Sequence, residues 1–106
     1  MTARGTWKAA ERRVAADLGG RRIPVNGLDR DGADVETSLF SVQVKLRKAL
    51  PAWLWGWLSG IRGDAQPKGK TGILILKKPL QRDSEGLVVM SYGDFIGLHG
   101  KVRDEQ

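Results

Sequence analysis

Residues 40–46 alternate strictly between apolar and polar side chains, and no other stretch narrows the fold as sharply. Only an extended strand sends successive side chains to opposite faces, so Phe40, Val42, Val44 and Leu46 share one face and Ser41, Gln43 and Lys45 the other. The apolar face needs a helix to cover it. The polar face sets Gln43 and Lys45 side by side, ~6.6 Å apart along the strand, close enough to share one phosphate or one water.

A helix suited to that task precedes the strand. Trp7, Ala10, Val14, Ala15 and Leu18 recur at helical spacing, with Thr6 available as the N-terminal cap and Gly19-Gly20 as the stop. At 100° per residue Glu11 falls on the same stripe, so one carboxylate points inward. It is either a paired core acid, a stripe-edge glutamate reaching water, or a ligand in a site.

The remaining elements follow from local signals. Residues 21–25 read as a first strand, 26–32 as a turn rich in Asn, Gly and Asp, and 33–36 as a second strand, with a tight connection at Thr37 and Ser38. Pro51 opens a second helix with Trp53, Leu54, Trp57, Leu58 and Ile61 as its buried stripe. Trp55 faces away from that stripe, as an indole without a special role or as a contact for a second subunit or DNA. A polar, lysine-bearing loop occupies 63–70. The apolar run 73–76 suits a central strand covered on both faces, and 87–90 suits another. Pro79 and a charged turn lie between them. Ser91 with Asp94 forms a capping box for a last helix through Leu98, and both chain ends, 1–5 and 101–106, are expected to fray.

The order is helix, three strands, helix, two strands, helix. A strand, crossover helix and strand between residues 40 and 76 imply a parallel pair with a right-handed connection, hence an α/β fold with helices on both faces of a mixed sheet.

A chain of 106 residues, 41% hydrophobic, has material for one core and so for one domain. Lys and Arg number 18 against 12 Asp and Glu, a formal charge of +6 that favours polyanionic partners, although ribosomal and membrane-surface proteins share it. No cysteine is present and His99 is the only histidine, which excludes thiolate chemistry and multi-histidine metal sites within one chain. Any metal must sit on oxygen. No apolar stretch approaches the ~20 residues of a spanning helix, and the amino end lacks a signal-peptide core, so a soluble, cytoplasmic protein without membrane association is expected.

Glu11, Asp34, Gln43 and Lys45 then call for a common explanation. Phosphodiester hydrolysis needs a hard divalent ion, Mg²⁺ with Mn²⁺ as substitute, held by a few carboxylate and carbonyl oxygens. Asp34 and Glu11 offer anionic oxygen; the Gln43 amide and the Val44 backbone carbonyl offer neutral oxygen. Lys45 is placed to orient water and to offset charge growing on the phosphate.

Glu11 on its helix, Asp34 within Gly32-Ala33-Asp34-Val35, and Gln43-Val44-Lys45 resemble the Glu, Asp, (Glu or Gln)-x-Lys signature of the PD-(D/E)XK nuclease superfamily. The similarity spans roughly residues 7–98 and is greatest to the compact Holliday-junction resolvases of archaea and their phage-borne relatives, whose basic loop residues 21–27 also resemble. It implies a restriction-endonuclease-like domain with a central mixed sheet of about five strands flanked by helices. It also implies metal-dependent cleavage of four-way or otherwise branched DNA by a homodimer. Most of the family has an acid where this chain has Gln43, which weakens divalent-ion binding. Glu36, on the face of Asp34, could restore charge or be an ordinary strand-end glutamate.

DNA contacts are expected at Arg21, Arg22, Asn26, Arg30, Lys68 and Lys70, with Lys77 and Lys78 as further cations beside loops. The dimer surface is expected at Trp55 with Tyr92, Phe95 and Ile96, although those three could equally fill the core. A nicking or double-strand endonuclease and an inactive DNA-binding module of the same fold are the alternatives.

Overall fold

The computed structural model describes residues 6–24 and 32–104, side chains of 101–104 excepted. The elements run α1 (Trp7–Leu18), β1 (Arg21–Arg22), β2 (Val35–Glu36), β3 (Ser41–Val42), α2 (Ala52–Ala65), β4 (Leu74–Leu76), β5 (Leu87–Val89) and α3 (Tyr92–Asp104), with short 3-10 turns at Gln66–Lys68 and Asp83–Glu85. This is the α-β-β-β-α-β-β-α order expected from the sequence. The chain divides into two compact units, residues 1–48 and 49–106.

In the first unit α1 is delimited as its sequence suggests. Thr6 Oγ1 accepts the Ala9 N–H at 3.1 Å, and Gly19 closes the helix at φ 70°, a left-handed conformation that glycine adopts without a steric penalty. The helix packs on β1 and β2 and buries Ala10, Glu11, Ala15 and Leu18. Trp7, expected on that stripe, is exposed instead. The strands form an antiparallel meander in the order β1-β2-β3, with Arg22 opposite Val35 and Val35 opposite Val42. Thr37 makes the β2–β3 turn, its hydroxyl accepting the N–H groups of Leu39 and Phe40.

The strict alternation of residues 40–46 survives in burial but not as a long strand. Val42 and Val44 are half-buried between exposed Ser41, Gln43 and Lys45, while Leu46 is exposed and Phe40 borders on exposure. The ladder stops at Val42 because the next inward N–H, that of Val44, is taken by the Asp34 side chain at 2.7 Å rather than by a backbone carbonyl.

In the second unit α2 starts after Pro51, whose carbonyl accepts the N–H of Leu54 at 3.1 Å and of Trp55 at 3.4 Å. It runs through Ala65, into the segment expected to be a loop, and buries Leu58 and Ala65 while Trp53 and Trp57 stay exposed. β4 pairs with β5 as an antiparallel hairpin, Leu74 opposite Val89 and Leu76 opposite Leu87. Ile73 and Ile75 are exposed, so β4 is covered on one face and not on two. Ser91 Oγ accepts the Asp94 N–H at 3.1 Å, the capping contact expected at the start of α3, and α3 continues past Leu98 to Asp104.

These pairings correct the expected central sheet. There is a three-stranded and a two-stranded sheet, every pair antiparallel, in place of one mixed sheet of about five strands with a parallel pair across α2. The reason is local: β4 finds its partner in the next strand along the chain, and a short hairpin closes at less entropic cost than a crossover.

Candidate active site

Asp34 stands where the three strands of the first unit meet. Its carbonyl accepts the Ile23 N–H at 2.8 Å, its own N–H donates to Val42 O at 2.7 Å, and its Oδ2 accepts the Val44 N–H at 2.7 Å. Oδ1 has no partner among the described residues. Gln43 lies beside it, with Nε2 donating to Gly32 O at 3.2 Å, and Lys45 follows, exposed and without a side-chain partner among the described residues. Asp34 and residues 43–44 therefore lie on bonded neighbouring stretches of the meander, with Lys45 next along the chain.

Glu11 is inward, only 2% exposed, and engaged: Arg22 Nε donates to its Oε1 at 2.8 Å. Directly opposed residues of an antiparallel pair share a face. Arg22, Val35 and Val42 accordingly face α1, whereas Arg21, Glu36 and Ser41 face away from it. Continued into the residues where the ladder ends, the same alternation sets Asp34 and Gln43 on the outer side. Glu11 is thus a paired core acid. The contacts of Asp34 and Gln43 do not include it.

Glu36 is also engaged, accepting the Ser41 hydroxyl at 2.9 and 3.0 Å from directly across the hairpin. Among the described residues no group of three or more His, Asp or Glu side chains is placed to hold a metal ion. The donors at the corner are one carboxylate, one amide and one backbone carbonyl. That set fits Mg²⁺, which commonly keeps several waters and binds through one or two carboxylates, better than it fits a fully protein-enclosed ion.

No family model, curated protein or solved structure matches this chain. The chemistry must be read from the residues themselves.

The expected DNA-contacting cations divide. Arg21 is exposed with no side-chain partner among the described residues, but its neighbour Arg22 is tied to Glu11. Asn26 and Arg30 lie outside the described residues. Lys68 pairs with Asp64 one helical turn back at 2.9 Å, whereas Lys70 is exposed and makes no such pair among the described residues; both belong to the second unit. Trp55 is 52% exposed, Tyr92 is exposed, and Phe95 is half-buried and stacked on His99 with ring centroids 6.1 Å apart. Among the described residues no helix is long and apolar enough to cross a membrane.

One feature of the second unit escaped the sequence reading. Trp53 and Trp57, assigned there to the core, line an open concavity together with the β4–β5 hairpin. The available signal was a pair of indoles spaced one turn apart, followed further along the chain by a dilysine at residues 77–78.

Proposed function

We propose that the protein is a metal-dependent, structure-selective DNA endonuclease, with Asp34, Gln43, the Val44 carbonyl and Lys45 as its working group. The observation that carries this reading is the Asp34 carboxylate. One oxygen is pinned by Val44 N–H, which leaves the other directed by the backbone, with an amide and an ammonium on the two alternate residues of the adjacent segment.

Asp34 and Gln43 would hold Mg²⁺, and the ion would supply polarisation of the phosphate and a more acidic water. The chain's own residues do the rest. Asp34 is oriented by its hydrogen bond, Gln43 is positioned by donating to Gly32 O, and Lys45 offsets negative charge on the phosphate. Glu11 acts as a positioning residue, fixing β1 through Arg22. Branched DNA is the substrate proposed, because the sequence carries no motif resembling a zinc finger or a dedicated base-reading helix, so recognition would rest on backbone charge and shape. Cutting a four-way junction symmetrically requires two copies, so a homodimer is part of the proposal.

The Glu11–Arg22 pair favours one second reading, a DNA-binding module of the same layout that does not cleave, since it leaves a single carboxylate at the corner. A gel assay of four-way, flap and linear duplex DNA with Mg²⁺ separates the two. The nuclease reading expects cleavage of branched DNA that Asp34→Asn and Lys45→Ala abolish. Binding without cleavage by the parent protein favours the module.

A further inference from the structure

The second unit holds a concavity of about 570 Å³ in which the candidate active site has no part. Trp53 and Trp57, one turn apart on α2, form one wall, and Leu76 and Leu87, a directly opposed pair of the β4–β5 hairpin, form another. The indoles are 52% and 57% exposed, with ring centroids 5.1 Å apart and planes tilted by 56°. Large apolar side chains left open around a hollow of this size are characteristic of ligand sites.

The rim is held in shape by its own bonds. Gln81 Oε1 accepts the Lys78 N–H at 2.9 Å, Gln81 Nε2 donates to Glu85 O at 3.2 Å, and Lys77 is paired with Asp83. Leu80, at the tip of this turn, adopts φ 66°, and its side chain is fully exposed. A leucine in the left-handed region facing water contributes nothing to packing, so the turn is shaped for something other than its own core. Lys78, in the lining, and Arg82, in the same turn, have no side-chain partner among the described residues, against one such carboxylate, Glu85; with Lys77 paired to Asp83 the turn keeps a net positive charge for an external anion.

The occupant must offer a flat apolar face to the indoles and negative charge to the rim. The geometry points to an unpaired base of single-stranded nucleic acid, stacked on Trp57 with the tilted Trp53 ring against its edge, and with its flanking phosphates at Lys78 and Arg82. This rests on the nucleic-acid reading above for the class of ligand but not on metal chemistry, and it gives that reading a means of preferring DNA with unpaired bases. An anionic membrane is the competing partner for tryptophan, leucine and lysine together; it would seat on the exposed tip at Leu80, which is not among the residues lining the concavity, and the vesicle arm of the test separates the two.

The test is fluorescence anisotropy of a labelled short oligothymidylate titrated with the full chain in EDTA at low salt. Phosphatidylserine vesicles and a fully paired duplex serve as parallel arms. Binding of the single strand should weaken about 5- to 150-fold in Trp57→Ala and in Trp57→Leu, the range for one lost base stack, while Trp57→Phe stays near the parent. Lys78→Gln combined with Arg82→Gln should reduce the dependence of log K on log salt by about 1.4, the equivalent of two phosphate contacts on a single strand. Circular dichroism of each variant establishes folding, and the charge variants, distant from the core, keep the test decisive if an indole variant misfolds. Equal binding by parent and Trp57→Leu, no preference for the single strand over duplex, or vesicle binding lost in the same variants would each overturn the proposal. Loss of cleavage in Asp34→Asn with oligothymidylate binding unchanged keeps the two sites distinct.

Discussion

At the scale of single residues, Asp34 has one structural duty and one proposed chemical one, and a single substitution can separate them. Its Oδ2 holds the Val44 N–H, so truncation exposes that donor as well as removing a charge. Asp34→Ala should therefore lose about 1 kcal/mol of stability in urea denaturation, the value of an ordinary hydrogen bond. Asp34→Asn keeps an acceptor in place and should melt close to the parent while cleaving nothing. Because of this hydrogen bond, asparagine is a cleaner test of chemistry at this position than alanine. Gln43→Glu should leave cleavage equal or higher, read from initial rates at limiting Mg²⁺, because each added carboxylate strengthens divalent-ion binding. A further titrating contact lies on α3. Arg62 Nε donates to Asp94 at 3.1 Å, and Ser91 adds a second bond, so the Asp94 carboxyl sits below its ordinary 3.8. A depressed folded value means that the stabilisation is full above the ordinary carboxylate value and is lost as pH falls through the lowered one. Arg62→Gln should move the Asp94 titration back up, as read by carboxyl NMR, and flatten the acid side of the stability profile.

At the scale of elements, the Glu11–Arg22 pair joins α1 to β1 across a buried face. Arg22→Ala would leave Glu11, 2% exposed, as an uncompensated buried charge, and should cost about 3–5 kcal/mol by chemical denaturation. Replacing both residues by apolar ones of similar volume should recover most of that loss. Gly20, where α1 gives way to β1, is a second joint: a Cβ there would lie 2.3 Å from the Glu36 carbonyl oxygen. Gly20→Ala should therefore destabilise by about 1–3 kcal/mol, the range for overpacking. Element order, the Thr6 and Ser91 caps and the turn at Thr37 were legible because each depends on neighbours within a few residues. Inward Glu11 was legible too, since helical periodicity alone sets its direction. Its partner was not, because Arg22 reaches it only after the chain has reversed at Gly19.

At the scale of the whole molecule, sheet organisation was the least legible feature. The apolar run 73–76 is compatible with a strand buried on both faces and with an edge hairpin, and only the partner decides between them. Trp53 and Trp57 were assigned to a core for the same reason, since periodicity marks a stripe without saying what covers it. The formal charge of +6 makes salt the simplest global probe. Affinity for any DNA should fall steeply and log-linearly with salt, with a slope of about −0.9 for each phosphate neutralised on duplex. The strands of the first unit are two residues long, too short for ladder bonds to fix their own alignment. Side chains act as the registration pins between β2 and β3: an aspartate oxygen holds the Val44 N–H and the Glu36 carboxylate holds the Ser41 hydroxyl. A slip of one residue would tear out both pins and expose Val35. Drift that erased the polar corner would also misalign the meander, so inheritance of the scaffold and inheritance of its chemistry are bound to the same few atoms.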